Sequence, residues 1–363
     1  LYPVVDKDRC IDCGLCKKVC PLADEHSSDL ANLLQKDCYA FTTNNQNILE
    51  ASTSGGAFTT IVNGFCKDDN CVIYGVKYNE DLTLEYSYIK DKEQISTFGK
   101  SKYFQSEMKN SYMEIKTFLE EGKKVVFSGT PCHVAGLKGF LRKEHEGLLC
   151  VDVLCFGVPS KKAFLSYKQY LERRYKDKLV TYQFRNKGSS EVIATFQNIG
   201  IVKIKASSDY FMRAFYARKL HRDCCTSCQF KREIRQGDIT IGDFWGIYET
   251  TDKFDLDKGV SFVIFNTEKG RTLIDSFANN GQFEKFDLSC AVNHNQLKPS
   301  KWVVDTEVYS LIEKDVDFDK AIKKVLPLTI KQRTKKIILT LMPKGLKNTI
   351  KKIIGKTKRN KDA

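Results

Sequence analysis

"SYMEIKTFLEEGKKVVFSGTPCHVAGLKGFL", residues 111–141, decides the architecture. Met113, Ile115, Phe118 and Leu119 recur at helical spacing, and Gly122 ends the helix they predict. "KVVFSG", residues 124–129, is a short apolar run without polar alternation, which predicts a strand covered on both faces. It enters a Gly-Thr-Pro turn, after which a second helix begins near His133. Helix, strand and helix in one short stretch form the repeating unit of an α/β domain. Working outward, "ASTSGGAFTTIVNGFCKDDNCVIYGVKY" (residues 51–78) reads as a glycine turn, a helix from about Ala57 and a strand around residues 72–78. "LLCVDVLCFGVPS" (148–160) reads as another buried strand, ending in a loop at Gly157 to Pro159. Beyond about Thr181 the strands shorten ("TYQFRN", "EVIATFQ", "IVKIKA", "VSFVIFN"). We therefore expect an α/β (mixed α+β) catalytic domain with a β-richer C-terminal extension, and ligands in loops at strand C-termini.

The chain has 363 residues, 42% of them hydrophobic, enough to bury a substantial core. Its net charge is +14, but residues 331–363 contribute +11 of it, with twelve Lys or Arg against Asp362. Basic and aromatic residues are not spread over a folded reading surface, so we expect no nucleic-acid partner. The fourteen cysteines do not suit a small disulfide scaffold in a chain this long and charged, and a reducing cytoplasm is expected. No apolar run approaches the ~20 residues of a membrane span.

"CIDCGLCKKVCP" places Cys10, Cys13, Cys16 and Cys20 in the spacing C-x2-C-x2-C-x3-C-P. Three such thiolates hold one iron-sulfur cluster in bacterial ferredoxins, and the fourth serves a second cluster. Zinc sites use two separated knuckles, a different pattern. Residues 1–24 thus read as a partial ferredoxin-like 4Fe-4S segment, and because Cys20 lacks a partner cluster the chain is expected to continue upstream. Cys38 is a weaker candidate for a missing fourth ligand. A second set, Cys132, Cys155, Cys225 and Cys228, is dispersed. Several of its members fall in turn-rich loops after expected strands, where four thiolates can converge on another cluster.

Taken together, "TSGGAF", "GKSKYFQS", "FSGTPCHVAGLKGFL", "CFGVPS", "CTSCQF", "DITIGDFWGI" and "KGVSFVIFNTEKG" resemble, in that order and over residues up to about 310, the coenzyme F(420) hydrogenase/dehydrogenase beta-subunit family. The resemblance implies iron-sulfur clusters joined to a flavin, FAD, in the α/β domain. It maps the flavin site to Ser54, Gly55, Gly56, Lys102, Tyr103, Ser128, Gly129 and Thr130. Glycines that admit backbone N–H groups to a pyrophosphate, a helix N-terminus and a lysine suit such a ligand. His133 stands where relatives commonly carry Gln, and is a candidate proton donor; Asp243 in "GDFWG" is a candidate for ribityl or substrate hydroxyls, with Trp245 beside it. "FRNKGSS" (184–190) lacks an aromatic residue that often follows its glycine.

The expected divisions are residues 1–24, 25–180 and 181–325, the last two forming one flavin domain, and a basic amphipathic tail at 326–363. In that tail Leu346, Ile350, Ile353 and Ile354 share one helical face among lysines, so residues 331–363 are expected to make peripheral contact with the inner face of a membrane. The expected function is an iron-sulfur flavoprotein oxidoreductase. It would take electrons from ferredoxin or another one-electron donor and pass them to a small-molecule or glycan-linked substrate, since bacterial relatives are often associated with surface-polysaccharide synthesis. Two alternatives are an electron-transfer subunit serving a partner dehydrogenase or hydrogenase, and a zinc-binding structural protein.

Overall fold

The computed structural model describes residues 4–22, 37–303 and 305–327. The expected amphipathic tail at 331–363 lies outside the described residues, as does most of the polar stretch after residue 24. The chain forms two compact units, one up to Thr306 and one from Glu307. In the second, the helix Phe318–Val325 buries Phe318, Ala321 and Ile322, and Lys324 pairs with Glu307 at 2.9 Å.

The first unit is built on a nine-stranded mixed sheet. Its strands are β1 (Asp37–Thr43), β2 (Cys71–Tyr78), β3 (Leu84–Ile89), β4 (Ser106–Glu107), β5 (Lys124–Gly129) and β6 (Leu148–Val153). After them β7 (Leu179–Gln183), β8 (Glu191–Phe196) and β9 (Gly200–Lys205) form a separate antiparallel sheet, and β10 (Ile239–Asp243), β11 (Ser261–Phe265) and β12 (Gly281–Asp287) return to the large one. The large sheet runs β12-β1-β11-β10-β6-β5-β2-β3-β4. Its centre, β10-β6-β5-β2, is parallel.

Residues 111–141 fold as their pattern dictates. Ser111–Glu120 and Pro131–Leu141 are helices, with β5 between them. Alternate β5 residues face opposite sides. Val125 and Phe127 pack with Ile115, Val134 and Leu137 from the two helices. Val126 packs on the other side with Ile61 and Val62 of the helix Ala57–Phe65 and with Phe277. All of these side chains are buried, which explains the unbroken apolar run Val125-Val126-Phe127.

Because the central strands are parallel, their C-termini share one edge of the sheet. β11 runs antiparallel to β10 and brings Ser261 opposite Asp243, while β1 brings Phe41 opposite Ser261. Six strands therefore deliver loops to the same edge. From β1 to β5 it spans four strand spacings, about 19 Å.

Beneath that edge the core holds an ion pair. The side chains of Asp152 of β6 and Arg235 are buried, with Arg235 Nη2 2.9 Å from Asp152 Oδ2. Thr240 Oγ1 donates to Asp152, and the Arg235 Nη1 group donates to the carbonyls of Phe230 and Arg232. The pair fastens the 230–236 loop to the central sheet. Cys66 and Cys71, which the sequence reading did not single out, are joined by a disulfide between the helix Ala57–Phe65 and β2. Among the described residues no helix is long and apolar enough to cross a membrane.

The N-terminal segment is seated on the Pro131–Leu141 helix. Gly139 has no side chain because Val19 O occupies its place: a Cβ there would stand 2.5 Å from that carbonyl. Ala is worth about 1 kcal/mol more than Gly in a helix interior, so Gly139→Ala should strengthen the helix while displacing residues 4–22. Limited proteolysis should cut the N-terminal segment faster, with the unfolding midpoint of the body unchanged or raised. Unchanged cleavage would show that Val19 is not seated there.

Candidate functional site

Cys132 begins the Pro131–Leu141 helix just past the end of β5, and Cys155 lies two residues past the end of β6. Cys225 and Cys228 come from the short helix Asp223–Thr226 and the loop after it, which Arg222 N ties to Val158 O at 3.1 Å. Cys132, Cys155 and Cys228 lie within electrostatic reach of one another, and Cys225 within reach of Cys155. Burial first, then Cys228 and Cys224, raises the Cys132 thiol; burial first, then Cys132, pushes Cys155 up to about 12. Cys132 is exposed, and Cys228 lines a crevice with Ser227, Gln229, Arg232 and Ser300. Thr130 Oγ1 lies 3.2 Å from the Cys132 sulfur.

Cys224, absent from the sequence reading, is the fifth thiol here. It hydrogen-bonds to Cys225, which lowers the Cys224 pKa and raises that of Cys225. The doubled C-C-x-x-C was the only signal available for it. Among the described residues no three or more Cys, His, Asp or Glu are drawn into a metal-holding arrangement. Convergence onto a metal is coupled to binding it. The donor set, with several nearby soft thiols on loops, fits a thiolate-ligated cluster.

The rear wall of the crevice is cationic and aromatic. Lys231 is buried, with Nζ 5.4 Å from the Phe156 ring centre, 5.1 Å from that of Trp302 and 3.1 Å from Ser300 Oγ. Arg218 lies over the same two rings, at 5.0 and 4.3 Å. His221 packs edge-on to Phe156 and Trp302, and burial lowers its pKa to about 3. Among the described residues neither His221 ring nitrogen nor Trp302 Nε1 has a hydrogen-bond partner. None of these residues was read from the sequence, because their meeting depends on the 226–231 loop crossing residues 300–302.

A second group lies farther along the edge. Asp243 ends β10 and pairs with Arg185, whose guanidinium lies 5.2 Å from the Trp245 ring centre. Tyr103 stacks on Phe215 at 4.8 Å and interacts with Arg185. Lys187 Nζ donates to Leu49 O at 2.6 Å and to Ser54 O at 2.7 Å, fastening "FRNKGSS" to the "TSGG" turn. Burial first, then the neighbouring Lys100 and Arg185, lowers Lys187 to about 8; Asp243 opposes them. Lys187 thus lies against Ser54, with Lys100 and Arg185 as its cationic neighbours. Gly56, at φ 92°, caps the helix Ala57–Phe65.

Ser54, Lys102 and Tyr103 belong to this group, since the stretch 99–103 runs beside 51–54 and Ser101 contacts Thr53. Ser128, Gly129 and Thr130 instead lie beside Cys132. All three glycines read as openings for a pyrophosphate are required by the fold itself: a Cβ on Gly56 would lie 2.8 Å from Thr43 Cγ2. A Cβ on Gly55 would lie 2.0 Å from Phe41 O, and one on Gly129 would lie 2.6 Å from the Tyr86 hydroxyl. Lys102 Nζ donates to the carbonyls of Phe98 and Gly99, and burial lowers its pKa to about 8. His133 Nδ1 is 2.9 Å from the Tyr86 hydroxyl, and burial lowers its pKa to about 4. A neutral, engaged imidazole braces the turn before the helix and is a poor proton store at neutral pH.

In the N-terminal segment Cys10, Cys13 and Cys16 are free and exposed, and Cys20 is half-buried. Cys38 is fully buried, donates to Asp287 O and contacts Cys290, so it does not reach this segment as the suggested fourth ligand.

Residues 122–289 match the family model that describes the C terminus of the coenzyme F420 hydrogenase/dehydrogenase beta subunit, and residues 1–22 match a 4Fe-4S binding domain. Among solved structures, a chain of the xenon-derivatised F420-reducing [NiFe] hydrogenase complex from Methanosarcina barkeri is similar. The two share 14% identity over 81% of this chain and 94% of that one, with a TM-score of 0.47. Comparison with curated proteins finds no match.

Proposed function

We propose a function from the premise that residues 122–289 of this chain belong to the C-terminal family of coenzyme F420 hydrogenase/dehydrogenase beta subunits, behind a 4Fe-4S binding segment. The chain is an iron-sulfur flavoprotein oxidoreductase. Electrons enter through the Cys10/Cys13/Cys16/Cys20 segment, pass a cluster held by Cys132, Cys155, Cys225 and Cys228, and reach FAD at the Ser54–Asp243 end of the sheet edge. The observation that carries this reading is the placement of a group of thiols and a group of cations on the C-terminal edge of one sheet, whose strands β6 and β10 are parallel neighbours.

When bound, the flavin supplies the conversion between one-electron and two-electron steps. The chain's own residues do the rest. Lys100, Lys187 and Arg185 offset a pyrophosphate's charge, and Asp243 accepts hydrogen bonds from the hydroxyls of a ribityl chain or substrate. Seven residues separate Cys132 from Gly139, about 10 Å of helix, so the seated N-terminal segment is a short step from Cys132.

A second reading, in which the chain passes electrons to a partner enzyme, is favoured by the matched family itself, which is named for one subunit of a larger enzyme. Ferredoxin as donor, a glycan-linked substrate and attachment to a membrane through residues 331–363 remain part of the proposal. The test is anaerobic purification of the natural full-length protein with iron, sulfide and flavin analysis. We expect broad visible absorption, about four iron atoms per cluster and bound FAD. Colourless protein containing zinc and no flavin would overturn the reading. Reduction of a partner enzyme but of no small molecule would select the subunit role.

A further inference from the structure

Beside the four thiols stand two cations, Lys231, which is buried, and Arg218, which is half-buried. Lys231 is 5% exposed, and among the described residues no ion pair joins it or Arg218 to a carboxylate. The two cations flank the same two aromatic rings, close enough to repel, and the adjacent His221 has both ring nitrogens unpartnered among the described residues. Cation–π contact offsets only a small part of burying such charges. Isolated buried charge is strongly unfavourable unless an opposite charge is at hand. The groups that attract Lys231 are sulfurs: Cys155, Cys228 and Cys225, against burial and Arg218, which dominate in the other direction.

We infer that Lys231 is a positioning residue that serves as the fixed counter-charge of the four-thiol cluster and sets its reduction potential. This rests on the cluster assignment proposed above. A cluster held by four thiolates carries net negative charge and gains one more on reduction. A cation locked against it stabilises the reduced form more than the oxidised one, and net charge is among the main determinants of such potentials. The ammonium is held in register by Ser300 and by the Phe156 and Trp302 faces, so it supplies this field without reorganising.

Lys231→Met keeps a long apolar stem between the two rings and removes the charge, so packing should survive. Lys231→Arg restores the charge. Potentiometric titration of the full-length, cluster-loaded protein, followed by electron paramagnetic resonance, reads the effect; the signal missing from Cys228→Ser identifies the crevice cluster. At fixed potential, Lys231→Met should shift that cluster's reduction equilibrium at least tenfold toward the oxidised form, about 59 mV for a one-electron couple. Its iron content should stay at the wild-type level, Lys231→Arg should lie close to wild type, and the N-terminal clusters should not move. A Lys231→Met protein with full iron and an unshifted crevice potential would overturn the inference while leaving the cluster assignment intact. A wild-type protein without the Cys228-dependent signal would overturn the assignment itself, and the inference with it.

Discussion

On the proposed electron path, full-length protein carrying Cys228→Ser is expected to lose one cluster's worth of iron and sulfide, retain its N-terminal iron, and reduce a bound flavin at least a hundredfold more slowly through the N-terminal entry. Serine is nearly the same size, so packing is not the cause. The hydroxyl is a poor ligand for iron where a thiolate is a good one. Cys228 stands half-buried at the mouth of the crevice and raises the thiols of Cys132 and Cys155 by its proximity. Cys224 is the nearest possible substitute, and its hydrogen bond to Cys225 makes the double variant Cys224→Ser/Cys228→Ser a necessary companion. Chemical reduction of the flavin by dithionite should be nearly unaffected in both. Wild-type iron and wild-type electron entry in the double variant would make Cys228 an ordinary structural thiol and remove the crevice from the electron path.

The largest loss of stability is expected from Asp152→Ala. Removing that carboxylate leaves Arg235 charged, 5% exposed and unanswered, and also strips a partner from Thr240 Oγ1. Breaking a buried pair by deleting one member costs about 3–5 kcal/mol. The urea midpoint should fall accordingly, with the 230–236 loop, and so the neighbouring Cys228 loop, opening first in hydrogen exchange. Asp152→Leu combined with Arg235→Met removes both charges and should recover most of the loss. A single variant within about 1 kcal/mol of wild type would mean that Arg235 finds water or another acceptor when Asp152 is gone.

The parallel centre of the sheet was legible because its physics is local. β5 and β6 each carry an unbroken apolar run, and the bounding Gly122 and Gly-Thr-Pro turn punctuate them, so residues 111–141 read correctly as helix, strand and helix. β1 and β12 were not read. "DCYAFTT" and "GQFEKFD" gain their strand character by pairing with each other in full register across more than two hundred residues of chain, and neither has a local pattern strong enough to announce that. Site residues divide the same way. Cysteines in C-x2-C spacing declare themselves, whereas Lys231, Arg218 and Trp302 carry meaning only once the 226–231 loop lies across residues 300–302. Gly55 shows the reverse error: its missing side chain was assigned to a ligand, yet the Phe41 carbonyl accounts for it.

The origin of the crevice thiols along the chain dictates an order of assembly. Cys132 and Cys155 leave the ribosome well before Cys225 and Cys228, and the whole β7-β8-β9 sheet is made in between. Chains emerge from the N-terminus and domains fold as units, so this site cannot exist until β10 has closed against β6. The Cys10–Cys20 run has all its sulfurs in one short segment and can take up metal as soon as it emerges. If the four body thiols hold a cluster as proposed, iron starvation should yield chains loaded at the N-terminus whose folded body still lacks its cluster.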